Sequence, residues 1–226
     1  MGFNIAIDGP AGAGKSTIAR RAAKELGFVY VDTGAMYRAM GLHILRNQIP
    51  REDEQAVAKA CQDVKVSIAY ESGEQQVYLN GENVSGEIRR EEVGNVTSVI
   101  SAYPKVREKL LHLQRNLAEK EDVIMDGRDI GTCVLPHAPL KLYLTASVRT
   151  RANRRYQELT QKGMDCDLEA ICEDIAARDE RDMNRAASPL RQAEDAVLLE
   201  SSELGIEEVT SLVVGYAKER MRKGQE

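Results

Sequence analysis

A glycine-rich stretch near the N-terminus restricts the fold of this chain more than any other part of its sequence. Residues 9–16 read GPAGAGKS, which fits the pattern G-x-x-x-x-G-K-[ST] of a phosphate-binding P-loop. The apolar run at residues 3–7 precedes the loop, and apolar residues at helical spacing follow it up to Leu26. A simple glycine-rich turn before a helix is the alternative. The complete motif and both flanks favour a strand, a P-loop and a helix.

The loop residues have the chemistry that a bound nucleotide requires. Gly9, Gly12 and Gly14 have no Cβ and tolerate positive φ, so the backbone N–H groups can wrap a phosphate. Lys15 is expected to reach the β- and γ-phosphates, and the Ser16 hydroxyl is expected to bind Mg²⁺. The dipole of the following helix adds about half a positive charge at this point.

Length and composition indicate one main domain with an inserted subdomain. The 226 residues are near the upper size for one core, and 42% are hydrophobic while 30% are charged. No run approaches the roughly 18 apolar residues of a membrane span, and the first strand begins without a signal peptide. Four scattered cysteines without a C-x-x-C pair favour reduced thiols. We therefore expect a cytosolic monomer with no membrane partner.

The arginines are concentrated in two segments, although the net charge of the chain is −5. An acidic chain argues against a general nucleic-acid binder, whereas clusters at residues 149–155 and 178–191 indicate a focused site for an anion. The first cluster could instead be a solvated helix face, and the second could be surface pairing at i,i+4 spacing.

Predicted strands and helices alternate along the chain. Besides the run before the P-loop, buried strands are predicted at residues 28–32, 123–126, 140–144 and 196–199. Helices are predicted at residues 35–46, 53–61, 91–101, 104–120, 148–161, 168–184 and 206–221. This order predicts an α/β fold of the P-loop NTPase type, with a five-stranded parallel sheet, helices on both faces and ligands at the carboxyl ends of the strands.

One segment departs from this alternation. Residues 64–70 and 75–79 alternate in polarity, and the pairs SG and NG at residues 72–73 and 80–81 are typical of tight turns. We predict a small antiparallel β insert at residues 63–93, within a core of residues 1–62 and 94–226.

Further motifs distinguish between classes of P-loop protein. A GTPase should carry N-K-x-D and an ABC-type ATPase L-S-G-G-Q, and neither sequence occurs. Instead, DTGAMYR occupies residues 32–38, DGRDIGT residues 126–132 and RDERDMNR residues 178–185. With VSGEIR at residues 84–89 and the insert, these motifs resemble the bacterial cytidylate (CMP/dCMP) kinases over essentially the whole chain.

The resemblance implies transfer of the γ-phosphoryl group from ATP to CMP or dCMP. The acceptor phosphate is already ionised, so catalysis reduces to positioning and to neutralising four phosphate groups, for which arginines are suited. ATP and Mg²⁺ are expected at Gly9, Pro10, Ala11, Gly12, Ala13, Gly14, Lys15, Ser16 and Thr17. The implied catalytic set is Lys15, Arg128, Arg151, Arg155 and Arg185, with Arg151 and Arg155 on a mobile helical lid at residues 150–170.

The resemblance also implies an acceptor site. Arg38, Arg128 and Arg185 are expected to hold the acceptor phosphate, and Arg178 with Asp182 to meet the sugar hydroxyls. Ser98, Arg107 and Asp129 are expected to read the cytosine edge, and Thr33 and Tyr37 complete the set.

Two carboxylates have alternative interpretations. Asp126 ends an apolar strand and is expected to order a Mg²⁺-bound water, unless it is an ordinary strand-end carboxylate. Asp129 can accept a hydrogen bond from the cytosine amino group, unless it is the N-cap of a helix after Ile130.

Two other function classes remain open from the sequence. One is a small-molecule kinase of the shikimate type, whose acceptor lacks a base. The other is a nucleotide-dependent switch or binding module, with the insert as its partner surface.

Overall fold

The computed structural model describes residues 2–224, so the outermost residues of the predicted core, 1, 225 and 226, lie outside the described residues. The chain divides into two units. We call residues 2–30 with 121–224 the sheet unit and residues 31–120 the inserted unit.

The described elements follow the predicted order. The strands are β1 (Ile5–Asp8), β2 (Val29–Asp32), β3 (Val66–Glu71), β4 (Glu74–Leu79), β5 (Glu82–Asn83), β6 (Val123–Gly127), β7 (Leu140–Thr145) and β8 (Val197–Glu200). The helices are α1 (Lys15–Leu26), α2 (Thr33–Arg46), α3 (Glu54–Ala60), α4 (Glu91–Ile100), α5 (Pro104–Lys120), α6 (Val148–Gln161), α7 (Leu168–Asn184) and α8 (Ile206–Lys223). Among residues 2–224, no helix combines the length and apolar character needed to cross a membrane.

The parallel sheet has the strand order β2-β6-β1-β7-β8 within the described chain. Strand β1 lies at its centre and is buried along its whole length, which explains why Ile5, Ala6 and Ile7 are all apolar. It pairs in parallel with β6 and β7, so that Asp8 lies beside Gly127 and Tyr143 at the carboxyl ends. The predicted five-stranded α/β fold is confirmed.

A tight connection links β1 to α1. Gly9 has φ +150°, and a Cβ at this position would lie 1.9 Å from the backbone oxygen of Leu144 in β7. Gly14 has the left-handed conformation, with φ 86°, as the N-cap of α1. The glycines of the motif therefore let the chain turn sharply against a neighbouring strand.

In the inserted unit, three antiparallel strands pack mainly on α2. β4 pairs with β3 and β5, and Val77 and Leu79 of β4 are buried. The antiparallel sheet is confirmed, but it ends at Asn83, and the last part of the predicted insert is helical. A 3₁₀ turn spans Glu87–Arg89 and α4 begins at Glu91, because Ile88 is buried and two glutamates favour a helix N-terminus.

The close approach of β7 predicts a large effect of Gly9→Ala on stability. The added Cβ meets a backbone oxygen of the central sheet, which cannot move aside without breaking strand pairing. Gly27→Ala is the matched control, because Gly27 also has a positive φ of 73° but no described heavy atom lies within 4 Å of the position that its Cβ would take. We expect about 1–2 kcal/mol of destabilisation for Gly27→Ala and several kcal/mol more for Gly9→Ala, measured by urea unfolding. Equal losses would contradict this packing argument.

Candidate phosphate-transfer site

Lys15 is buried at the start of α1. Only 6% of the residue is exposed, and its Nζ donates a hydrogen bond to the backbone oxygen of Pro10 at 2.7 Å. Burial, assisted by the positive charge of Arg128, lowers the pKa of Lys15 to about 7. A phosphate placed beside this amine would favour its charged form, so the loop is suited to an anionic ligand.

Ser16 and Asp126 meet beside the P-loop. The Ser16 hydroxyl donates to Asp126 Oδ2 at 2.8 Å, and the Tyr30 hydroxyl donates to Asp126 Oδ1 at 3.0 Å. Hydroxyl and carboxylate oxygens are the ligands that Mg²⁺ prefers, and Mg²⁺ usually takes few protein ligands because it keeps several waters and binds substrate phosphates. The oxygen atoms of Ser16 and Asp126 therefore fit Mg²⁺, although residues 2–224 contain no group of three or more metal-binding His, Cys, Asp or Glu side chains.

Asp8 is a site residue that the sequence reasoning missed. Its buried carboxylate accepts hydrogen bonds from the backbone N–H groups of Ile130 at 2.8 Å and Gly131 at 2.7 Å. Burial raises the pKa of Asp8 from 3.8 to about 6, although these two bonds oppose the shift. Asp8 thus fixes the turn after Asp129 next to the start of the P-loop. An acid that ends a buried strand beside a P-loop was the available sequence signal.

The DGRD turn holds Arg128 and Asp129 close to α7. Arg128 Nε lies 2.8 Å from Asp182 Oδ2, and Arg185 Nη2 lies 3.6 Å from Asp129 Oδ1. Burial alone would raise the pKa of Asp182, but Arg128, Arg178 and Arg185 together outweigh it, so the pKa is lowered. The structure therefore brings together four of the predicted acceptor-site residues, within the sheet unit.

Two alternative interpretations of these motifs are wrong. Asp179 and Asp182 are each only 7% exposed, so the arginine-rich part of α7 is not simply a surface with i,i+4 pairs. A π-helical turn at Ile130–Val134 follows Asp129, whose side chain makes no capping hydrogen bond to this described turn. Arg178, the remaining predicted residue on α7, is half-buried.

The two predicted lid arginines have different surroundings. Arg151 is buried and its guanidinium contacts the P-loop, with Nη1 donating to the backbone oxygen of Ala11 at 2.8 Å. Arg155 is exposed one turn further along α6 and pairs with Glu158 at 3.0 Å. In this structure Arg151 is thus fixed on the P-loop, because its side chain packs against Gly12, rather than lying on an open lid. A solvated helix face, the alternative interpretation of the arginines at residues 149–155, therefore describes Arg155 but not Arg151.

The predicted acceptor residues of the inserted unit lie on three helices. Thr33 and Tyr37 are buried on α2, Arg38 is half-buried beside them, and the Arg107 guanidinium lies 5.4 Å from the centre of the Tyr37 ring. Arg107 also donates to the backbone oxygen of Ser101 at 2.8 Å. The Ser98 hydroxyl on α4 is buried and has no hydrogen-bond partner among the described residues. A polar ligand group would satisfy this hydroxyl.

A P-loop with a buried lysine, an acid beside its serine and paired arginines and carboxylates defines a P-loop phosphotransferase. The family model for cytidylate kinase matches residues 5–219. The chain therefore belongs to the cytidylate kinase family.

Named relatives agree with this assignment. The chain is 46% identical over 219 residues to a cytidylate kinase of Halalkalibacterium halodurans, covering 97% of this chain and 99% of the relative. It is 49% identical over 212 residues to the cytidylate kinase of Caldicellulosiruptor bescii, covering 94% of each. The identity to a cytidylate kinase of Streptococcus pneumoniae is 48% over 220 residues, with 97% and 99% covered.

Solved structures share the fold at low sequence identity. An uncharacterized protein from Eubacterium ventriosum superposes with a TM-score of 0.53 at 12% identity, covering 96% of this chain and 98% of that chain. A gluconokinase from Sinorhizobium meliloti superposes with a TM-score of 0.50 at 12% identity, covering 97% and 94%.

The raised pKa of Asp8 predicts a pH-dependent contribution to stability. Since the folded-state pKa of about 6 exceeds the unfolded value of 3.8, this contribution is complete below pH 3.8 and is lost as the pH rises through 6. Asp8→Asn removes the titration, so the stability advantage of the wild type over the variant should fall by about 1 kcal/mol between pH 5 and 7. Urea unfolding at several pH values measures it, with the exposed Asp165→Asn as control. A difference between wild type and Asp8→Asn that is independent of pH would contradict the raised pKa.

Proposed function

We propose that this chain transfers the γ-phosphoryl group of ATP to CMP or dCMP, giving ADP and CDP or dCDP. Membership of the cytidylate kinase family supports this function. The observation that carries the proposal is the pair of hydrogen bonds from the Ile130 and Gly131 N–H groups to Asp8, because it fixes the segment directly after the DGRD turn to the start of the P-loop. A donor phosphate on the loop and an acceptor phosphate on Arg128 would both be placed by these bonds.

The donor side depends on the P-loop. Lys15 would follow the β- and γ-phosphates, and the N–H groups at the start of α1 would bind phosphate oxygens. Ser16, and Asp126 through water, would hold Mg²⁺, which when bound neutralises charge on the phosphates. The hydrogen bond from Ser16 to Asp126 holds these two oxygen atoms close together.

The predicted acceptor residues would bind CMP or dCMP. In the sheet unit, Arg128 and Arg185 would bind the acceptor phosphate, Asp182 with Arg178 the sugar hydroxyls, and Asp129 the cytosine amino group. In the inserted unit, Arg38 would bind phosphate, and Ser98 and Arg107 would bind the base, with Thr33 and Tyr37 lining the acceptor. The acceptor oxygen attacks the γ-phosphorus and ADP leaves, so no general base is required.

The exposed Arg155 fits a role in a mobile segment. It forms an ion pair with Glu158, a surface pair of small energetic value that a nucleotide phosphate could displace. We therefore keep Arg155 as the residue of the lid, residues 150–170, that reaches the transferring phosphoryl group.

A substrate panel with Lys15→Ala tests the function. In a coupled ADP assay, wild type should turn over CMP and dCMP much faster than UMP, AMP or shikimate. Lys15→Ala should lower kcat at least about 100-fold, because a charge aimed at the transferring phosphoryl is lost. Lys24→Ala, on the exposed side of the same helix, is the control and should match wild type. Preferred turnover of shikimate would indicate the other kinase class, and failure to exceed one turnover would indicate a switch.

Ser98→Ala tests the base-binding side. Removing a hydroxyl that has no partner among the described residues leaves no other described group unsatisfied, so the thermal midpoint should stay unchanged. If the hydroxyl binds the base, the KM for CMP should rise about 10-fold while the KM for ATP stays constant. Ser101→Ala, whose hydroxyl contacts the Ser98 backbone oxygen at 3.5 Å, is the control. An unchanged KM for CMP in Ser98→Ala would exclude this contact.

A further inference from the structure

A buried ion pair holds one residue of the P-loop from both sides of its backbone. Arg151 Nη2 on α6 lies 2.7 Å from Asp179 Oδ2 on α7. Arg151 Nη1 donates to the backbone oxygen of Ala11 at 2.8 Å, and Asp179 Oδ1 accepts from the Ala11 N–H at 3.2 Å. Arg151 and Asp179 are only 3% and 7% exposed. Both hydrogen-bonding groups of the Ala11 backbone are therefore satisfied by side chains from distant helices.

Arg151 is anchored at a third point. Its Nε donates to the backbone oxygen of Ala146 at 2.9 Å, directly after β7. A Cβ on Gly12 would lie 3.4 Å from the Cβ of Arg151, so the stem of the side chain packs on the loop. The guanidinium therefore joins the sheet, the P-loop and α7, and its position leaves little freedom to the loop.

The same helix that holds Ala11 also holds Arg128. Asp179 and Asp182 are three residues apart on α7 and share one face of it. Asp179 binds the P-loop, and Asp182 binds Arg128 at 2.8 Å. A small shift of the P-loop would thus be passed through one rigid helical turn to Arg128, which is proposed to bind the acceptor phosphate.

We propose that Arg151 and Asp179 form a positioning clamp that couples nucleotide occupancy of the P-loop to the placement of Arg128. The inference deepens the proposed function and rests on it for the identity of the acceptor. Both are positioning residues, since they act on the reaction through Ala11 and Arg128. Stability alone does not account for the pair, because apolar residues of similar volume are often as stabilising as a buried ion pair.

The experiment compares two ways of removing the clamp. Arg151→Met with Asp179→Leu replaces the pair by apolar side chains, and Asp179→Asn keeps the shape but removes the charge. Arg149→Gln with Glu169→Gln is the matched control, because this exposed pair also joins α6 to α7 without contacting the P-loop. Calorimetric titration with ADP measures the donor site. Titration with CMP, with and without the non-hydrolysable analogue AMP-PNP, measures the coupling between sites.

The clamp predicts a specific pattern of losses. ADP affinity should fall about 10-fold or more in both clamp variants, since charged hydrogen bonds to the loop are lost, and it should be unchanged in the control. AMP-PNP should change the CMP affinity of wild type and of the control, but not that of the double clamp variant. The thermal midpoint of at least one clamp variant should stay near that of the control.

Several outcomes would overturn the proposal. Wild-type ADP affinity in both clamp variants, or wild-type coupling in the double variant, would show that the pair does not position the loop. If neither clamp variant folds, the ion pair is required for folding and the proposed positioning role is wrong. The proposed function fails differently, through absent turnover of CMP by wild type, and the ADP titrations do not depend on that result.

Discussion

Burial of the Lys15 ammonium group is the constraint on which the arrangement of the sheet unit depends. Desolvation lowers its pKa to about 7, and its Nζ donates a hydrogen bond to the Pro10 carbonyl. The carboxylates of Asp126 and Asp8 oppose that shift and keep the charged form accessible. These acids are themselves buried, so each requires donors of its own. Asp126 receives two hydroxyl donors and Asp8 two backbone N–H groups.

The hydrogen-bond donors to the buried carboxylates determine the geometry of the site. Because Asp8 takes its donors from Ile130 and Gly131, the segment after Arg128 is fixed to the end of the central strand. Because Asp179 accepts a hydrogen bond from the Ala11 N–H, α7 is fixed to the P-loop that follows this strand. Segments far apart in sequence are therefore placed by the need to satisfy buried carboxylates, and the residues predicted to bind substrate are placed with them.

Local signals explain which features the sequence could predict. The helices Pro104–Lys120, Val148–Gln161 and Leu168–Asn184 have the predicted bounds, because apolar spacing and N-terminal residues such as Pro104 are read within one element. The π-helical turn after Asp129 was not predicted, because its cause is a carboxylate more than 120 residues away in sequence. The sequence likewise predicts one common role for Arg151 and Arg155, because they lie one helical turn apart. Sequence spacing cannot show that one arginine of a cluster is buried by contact with a loop.

Paired carboxylates also explain how the chain accommodates two arginines at the predicted acceptor site. Arg128 faces Asp182, and Arg185 faces Asp129, so both cations are paired. An uncompensated buried charge would destabilise the fold strongly, and two unpaired arginines would also repel each other. If the acceptor phosphate binds these arginines, it must displace or share the carboxylate contacts. A phosphate dianion can compete for two guanidinium groups at once through bidentate bonds, whereas a single carboxylate gains little by the exchange. The pairing would therefore favour phosphorylated acceptors over neutral or monoanionic ones, while the carboxylates balance the charge of the arginines.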